Sequence, residues 1–261
     1  MSQTAWYTSH AISEKIMLSV SRGFRIPAKH TSLFHKHKDK NEAILYGILR
    51  GCSDVMHNNF KNGVSYLHID LGYIGRGHFD GYYRFSLNNT QAHYIDVDLP
   101  SERAKKLDIT LRDWQDNEAG IVLIIPPTEP IAIFYGIDIE DWINKTIKKI
   151  NGHPYKVRYK NDAKPIEEDF KIAKCAITFN SNSALDATIW GVPVIATSSH
   201  SIIKSWNSLT MADFADCYKK SIGLNREKLI NYISYHQFTL DEVEKGIAPA
   251  IIKEMRQEGV Y

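Results

Sequence analysis

The chain has 261 residues, 43% of them hydrophobic and 24% charged, with a formal net charge of +2. These values exclude a disordered or fibrous chain and leave room for one large or two small globular domains. A pI near 8.3 is too mild to argue for a nucleic-acid partner by itself, and no run approaches the roughly 20 apolar residues of a membrane helix. The first predicted feature is a basic, His-rich segment, Lys29-His30 followed by His35-Lys36-His37-Lys38-Asp39-Lys40. Ala43 to Val55 has helical spacing of apolar residues, and Val64 to Asp70 alternates as a strand does. Gly72 to Tyr83 is a glycine-rich loop with many aromatics. Ala92 to Val97 is expected as a short strand, and the polar, mixed segment Ser101 to Trp114 is expected to carry a helix. Gly120 to Ile125 reads as a buried strand stopped by Pro126 and Pro127. An amphipathic helix follows over Asp138 to Ile150, led by acidic residues as the helix dipole favours. Pro154 to Tyr159 is a strand and Pro165 to Ile172 a short helix.

Ala173 to Ser199 carries the most information. An apolar strand, Cys175 to Phe179, meets the polar turn Asn180, Ser181, Asn182, Ser183. A short helix, Ala184 to Trp190, leads through Gly191 and Pro193 to a second apolar strand, Val192 to Ala196. Strand, crossover helix and parallel strand make a βαβ unit. Ser and Asn at the turn cap free N–H groups, and those groups also seat an anion beyond the carboxyl end of a parallel strand. Thr239-Leu-Asp-Glu242 is a capping box that opens a C-terminal helix. The βαβα order argues for an α/β fold with two Rossmann-like lobes, parallel sheets and a central cleft. The boundary is expected near Asp116 to Gly120, giving residues 1–116 and 117–261, with the last helix able to return to the first lobe. A single larger α/β domain is the alternative.

The second informative patch runs from Ile69 to Asn89. Asp70 ends a strand, and Gly72, Gly75, Gly77 and Gly81 follow closely, so backbone can approach a ligand. Arg76, His78, Asp80 and Arg84 are gathered on this loop. A solvent-exposed turn with incidental charges would look the same. The spacing does not fit the dinucleotide fingerprint G-x-G-x-x-G. Three distant cysteines, Cys52, Cys175 and Cys217, and the irregular His cluster give no metal pattern, so none is expected. The N-terminal stretch lacks a basic region followed by an apolar block, so no signal peptide is expected, and the location is read as cytoplasmic.

The strand, NSNS, ALDA and WGVPVIA order resembles the nucleotide-sugar-binding half of GT-B-type glycosyltransferases, of the capsule-type branch and of glycosyltransferase-like proteins found in phages. Ile44 to Gly51 (ILYGILRG), Asp70-Leu-Gly-Tyr, Tyr82-Tyr83-Arg84 and Tyr235 to Glu242 (YHQFTLDE) resemble further segments of the phage group. Relatives usually carry Arg-Pro-His-Pro after the third strand of the second half. This chain has Arg158-Tyr-Lys160 there, so Arg158 and Lys160 are its positive charges.

The resemblance implies transfer of a sugar from a nucleotide sugar, a UDP-sugar foremost, to a hydroxyl, with no metal or other cofactor required. Such chemistry needs a base for the acceptor hydroxyl and groups that hold the leaving diphosphate. Asp80, Asp70 and His78 are the catalytic candidates. Arg76, Arg158, Lys160, Asn180, Ser181, Asn182, Ser183 and Asp186 are the donor-binding candidates, with Thr128 and Glu129 nearby. Lys36, Lys38, Tyr82, Tyr83 and Arg84 are the acceptor-binding candidates. The basic segment, with Phe24, Phe34, Tyr73 and Phe79, suggests phosphate contacts and stacking on an extruded base. That makes double-stranded phage DNA bearing a hydroxymethylated or already glycosylated pyrimidine the first acceptor, in a bacterial host's cytoplasm. A polysaccharide or small acceptor, an inactive nucleotide- or nucleic-acid-binding protein, and a sugar-nucleotide epimerase are the alternatives. Sugar, stereochemistry and oligomeric state are open.

Overall fold

The computed structural model describes residues 2–34 and 40–261. In chain order the elements are β1 (Gln3–Tyr7), α1 (Ala11–Phe24), β2 (Ala28–His30), β3 (Glu42–Tyr46) and α2 (Cys52–Lys61). β4 (Tyr66–Leu71), β5 (Tyr82–Leu87), α3 (Glu102–Lys105), β6 (Ile121–Ile125), α4 (Glu129–Tyr135) and α5 (Ile139–Lys149) follow. Then come β7 (Tyr155–Val157), α6 (Ile166–Phe170), β8 (Ala173–Thr178), α7 (Ser183–Ile189), β9 (Val194–Ala196) and α8 (Ile202–Asn207). The chain closes with α9 (Cys217–Ser221), α10 (Arg226–Ser234), β10 (Gln237–Thr239), α11 (Leu240–Glu244) and α12 (Ile247–Gln257). It divides into two compact units, Met1–Ala92 with Tyr232–Tyr261, and His93–Asn231.

The first unit holds a six-stranded sheet in the order β10-β5-β4-β3-β1-β2. β2, β1, β3 and β4 run parallel, while β5 is antiparallel to β4 and β10 to β5. One face carries Ala5, Ile44, Leu67, Ile69, Phe85 and Phe238, all fully buried against Ile16, Met17 and Val20 of α1 and Ile252 of α12. Gly23 allows α1 to lie on α11, because a Cβ there would sit 1.8 Å from the Val243 carbonyl oxygen. Arg256 of α12 donates to both carboxylate oxygens of Glu42 on β3 at 2.9 Å, which ties the C-terminal helix to the sheet. The Glu42 carboxyl is pushed up by burial, but Arg256, Ser65 and Gln3 outweigh that and hold its pKa below the usual value.

The second unit holds a four-stranded, all-parallel sheet in the order β7-β6-β8-β9. All six residues of β8 are buried, as expected of a parallel strand covered on both faces. Val122, Ile124, Cys175, Ile177 and Ile195 form its core with Leu209 and Cys217. Gly191 is held at φ +79°, and a Cβ there would meet the Asp113 carbonyl oxygen at 1.9 Å, so the glycine of WGVP is a close-approach residue.

Two sequence expectations change. Ala43 to Val55 is not one helix. Its first part is β3, and Gly47, Arg50 and Gly51 take positive φ before α2 begins. A short apolar run fits helix and buried strand alike, and pairing with β1 and β4 decides for strand. Ala92 to Val97 forms no strand; the Tyr94 N–H goes to the Ser205 hydroxyl instead. Ser101 to Trp114 carries a helix as expected, α3, and the backbone beyond it pairs with the end of α7: Arg112 N–H to Ile189 O at 3.0 Å and Gln115 N–H to Gly191 O at 2.7 Å.

Candidate functional site

In the second sheet the strand order reverses between β6 and β8, since β7 lies on one side of β6 and the chain then crosses to the other. Ligands of open parallel sheets bind beyond the carboxyl ends of the strands at such a reversal. Three loops leave that end: Pro126 to Glu129 after β6, Phe179 to Ser183 after β8, and Thr197 to Ser201 after β9. Contacts join the loops after β8 and β9 to each other and to α4 and α5. The Tyr135 ring at the end of α4 meets Phe179 at 5.6 Å and stacks on His200 at 4.7 Å and 28°. The Ser198 N–H donates to the Phe179 carbonyl at 3.1 Å, and the Trp142 Nε1–H to Thr197 Oγ1 at 2.9 Å.

The loops are rich in hydroxyl and amide groups and contain no Lys or Arg. Asn180 is buried, while Ser181, Asn182, Ser183 and Asp186 are half-buried. The Asn182 side chain does not cap α7. Ser181 Oγ does the local work, accepting from the Ser183 N–H at 3.2 Å and donating to Ser183 Oγ at 3.2 Å. Thr128 and Glu129 are exposed at the start of α4. An anion here would meet N–H and O–H donors rather than fixed cations. His200 is the one imidazole on the loops, and partial burial lowers its pKa below the usual value. His200, Tyr135 and Trp142 were not singled out in the sequence. The signal for His200 was present: Thr-Ser-Ser-His follows β9 much as Asn-Ser-Asn-Ser follows β8.

Arg158 lies elsewhere. It is 7% exposed, with its guanidinium 2.9 Å from the Asp169 carboxylate, 3.6 Å from Asp162 and in contact with the Lys164 carbonyl. Lys156 reaches the other Asp169 oxygen at 2.7 Å. Its partners are thus internal and tie the β7 end to α6. Lys160 is exposed in the turn after β7.

In the first unit the candidate residues surround the loop between β4 and β5. Asp70 accepts from Arg84 at 2.7 Å and from the Leu71 N–H at 2.8 Å. Arg84 is buried and also donates to the Leu71 and Thr90 carbonyls. Tyr83 is fully buried, and its hydroxyl accepts the Phe79 N–H at 3.0 Å. Tyr82 is half-buried. Arg76, His78 and Asp80 are exposed together on the loop, with Arg76 anchored by two N–H bonds to the Tyr73 carbonyl. The loop is as tight as its glycines suggested: a Cβ on Gly81 would sit 2.2 Å from the Gly77 nitrogen. Tyr73 and Phe34 belong to the core, and Phe24 packs against it. Lys36 and Lys38 lie outside the described residues. Among the described residues no three His, Cys, Asp or Glu side chains cluster as a metal site, and no helix is long and apolar enough to cross a membrane.

No family model matches the chain, and no curated protein matches it. Among solved structures it is similar to the Thermosulfurimonas dismutans KpsC beta Kdo 2,7 transferase. Identity is 12% and the TM-score 0.52, over 96% of this chain and 99% of that one. The beta Kdo 2,4 transferase of the same KpsC gives 10% identity and a TM-score of 0.45, over 88% and 98%. The UDP-GlcNAc 2-epimerase from Neisseria meningitidis, bound to UDP-GlcNAc, gives 11% and 0.26, over 99% and 100%. The first likeness shows the fold, and with the two sheets it makes this an α/β chain of two Rossmann-like lobes, GT-B-like in type.

Proposed function

We propose that the chain is a glycosyltransferase that moves a sugar from a nucleotide-sugar donor, a UDP-sugar foremost, to a hydroxyl of a carbohydrate. The observation that carries this reading is the meeting of two hydroxyl- and amide-rich loops, those after β8 and β9, at the strand reversal of the all-parallel sheet. The fold hosts such chemistry in a chain named a Kdo transferase, but fold alone does not assign it, so the argument rests on the site.

The donor diphosphate is held by the Ser181, Asn182 and Ser183 hydroxyl, amide and N–H groups, with Asp186 toward ribose hydroxyls. These donors stabilise the charge that grows on the leaving phosphate as the anomeric bond breaks. On the first unit's own loop, Asp80 is the candidate base for an acceptor hydroxyl. Asp80 is preferred over Asp70 because Asp70 is engaged by Arg84. Arg158 is given a structural role, since its guanidinium faces Asp169. For a modified pyrimidine as acceptor, Tyr73, Tyr83 and Phe34 are buried where stacking on a base would need them exposed, which leaves Phe79, exposed, and Tyr82, half-buried.

The test is a thermal-shift series with UDP, GDP, CDP and CMP and their sugars. One nucleotide is expected to stabilise the protein, by about 2.7 kcal/mol at a hundred times its Kd, and Ser181→Ala with Ser183→Ala to weaken the shift. With the sugar nucleotide so found, Asp80→Asn is expected to lower transfer about 10²- to 10⁴-fold. No shift at millimolar ligand would overturn the reading. Isomerisation of the sugar nucleotide without acceptor would replace it with an epimerase.

A further inference from the structure

Phe79 sits at the tip of the loop between β4 and β5 in a conformation that its side chain disfavours. Its φ is +82°, the left-handed region that a bulky residue rarely enters. The residue is nonetheless 47% exposed, so burial does not explain why a phenylalanine stands there. Its backbone is held from below, where the N–H donates to the hydroxyl of the buried Tyr83 at 3.0 Å. The glycines on either side leave the loop no slack: a Cβ on Gly77 would be 2.5 Å from Asp80 Oδ1, and one on Gly81 2.2 Å from the Gly77 nitrogen. From α1 the Lys15 ammonium lies 4.0 Å from the Phe79 ring centroid. One ring face is therefore backed by a cation. A strained residue that its surroundings over-determine points to function.

We propose that Phe79 is a carbohydrate platform, on which the apolar C–H face of a pyranose stacks with its hydroxyls turned toward Asp80. The electron-rich ring face attracts the weakly positive C–H groups of a sugar, as it does the edge of another ring. A nucleobase also stacks on an aromatic, and the exposed Arg76 and Lys15 would suit its phosphate; the Asp80 carboxylate next in sequence accepts from sugar hydroxyls and repels a phosphodiester, and the oligonucleotide arm of the test distinguishes the two. The identification of this sugar as the acceptor rests on the transferase reading above and would deliver its hydroxyl to Asp80. The platform itself rests on the loop.

The experiment is saturation-transfer NMR on the full chain with a panel of methyl hexopyranosides and, separately, a single-stranded oligodeoxynucleotide. Two variants accompany it. Phe79→Gly removes the ring and suits the positive φ, so it should fold with no loss of melting temperature. Phe79→Trp keeps an aromatic face. Saturation of one C–H face of at least one hexopyranoside is expected. Binding should weaken about tenfold or more in Phe79→Gly and persist in Phe79→Trp. No sugar signal with the parent protein, a signal unchanged in Phe79→Gly, or oligonucleotide binding that shows this dependence in place of sugar binding would each overturn the platform. A nucleotide thermal shift that persists in Phe79→Gly separates the two readings. With that shift and no sugar signal, only the platform fails. With ring-dependent sugar binding and no nucleotide shift, the platform stands and the transferase fails.

Discussion

The loops at the carboxyl ends of the two sheets are built from different materials. In the second unit they carry hydroxyls, amides, the Glu129 carboxylate and one imidazole, with Asn180 and Ser198 buried, Ser181 to Ser183 half-buried and Thr128, Glu129, Thr197 and His200 exposed, and the Tyr135 ring touches both Phe179 and His200. In the first unit the β4–β5 loop carries Arg76, His78 and Asp80, exposed, on a backbone shaped by glycines. Hydroxyl and N–H donors suit a ligand whose charge must be spread and released, as a leaving diphosphate is. Exposed ionisable groups on a fixed loop suit proton transfer and hydroxyl recognition. The difference also places the structural charges. The ion pair of Arg84 with Asp70 and that of Arg158 with Asp169 each brace a strand end beside a loop rather than stand in it.

Arg158 tests whether the second unit's site is truly cation-free. Arg158→Ala leaves the Asp169 carboxylate, 8% exposed, with only Lys156 as partner. Removing one member of a buried pair costs about 3–5 kcal/mol. A urea titration should show that loss. Were the variant to keep its stability and lose the nucleotide shift, Arg158 would be a ligand contact and the contrast between the loops would collapse.

Acid should separate the units next. His68 and His236, both fully buried in the first unit, have pKa values lowered to about 4, chiefly by burial. His236 is stacked between Tyr232 at 4.3 Å and Tyr261 at 4.5 Å. The unfolded chain takes up these protons near pH 6.5 and the folded chain only near pH 4. Stability is therefore full above pH 6.5 and is lost as the pH falls toward 4, by about 3 kcal/mol for each histidine. Hydrogen exchange resolved by segment should show amides of β4, β5 and β10 losing protection before those of β6 and β8. Simultaneous loss would mean that the burial of these two rings does not set the acid response.

How much of this was legible depends on how local the cause is. The β8–turn–α7–β9 unit is written in uninterrupted apolar runs bounded by Asn, Ser, Gly and Pro, and the capping box at Thr239 and Glu242 forms as read, with both reciprocal bonds. β3 was hidden because Ala-Ile-Leu-Tyr fits a helix as well as a central parallel strand, and only its neighbours decide. Arg158 looked like a ligand group because a sequence shows a charge without showing the Asp169 that neutralises it. Tyr135 and His200 meet only after β6 and β9 have been placed in one sheet, so no window of sequence contains the pair. The glycine loop was visible as a loop; that Phe79 takes a positive φ at its tip was not.

A paired substitution gives the sharpest contrast between the loops. Gly81→Ala puts a Cβ 2.2 Å from the Gly77 nitrogen and 2.6 Å from the Gly75 carbonyl oxygen, both backbone atoms that cannot swing aside as a flexible side chain would. The loop must open, at about 1–3 kcal/mol, the usual range for forcing atoms into packed space. Asp80 and Phe79 then lose their fixed positions, while the loops after β6, β8 and β9 are untouched. The variant should keep its nucleotide thermal shift and lose sugar binding. Ser183→Ala should do the reverse, at a cost to global stability within about 0.5 kcal/mol, because Ser183 is half-buried and no part of the core. If Gly81→Ala also abolished the nucleotide shift, donor binding would depend on the first unit's loop, and the division of labour between hydroxyl-lined and charge-lined loops would have to be redrawn.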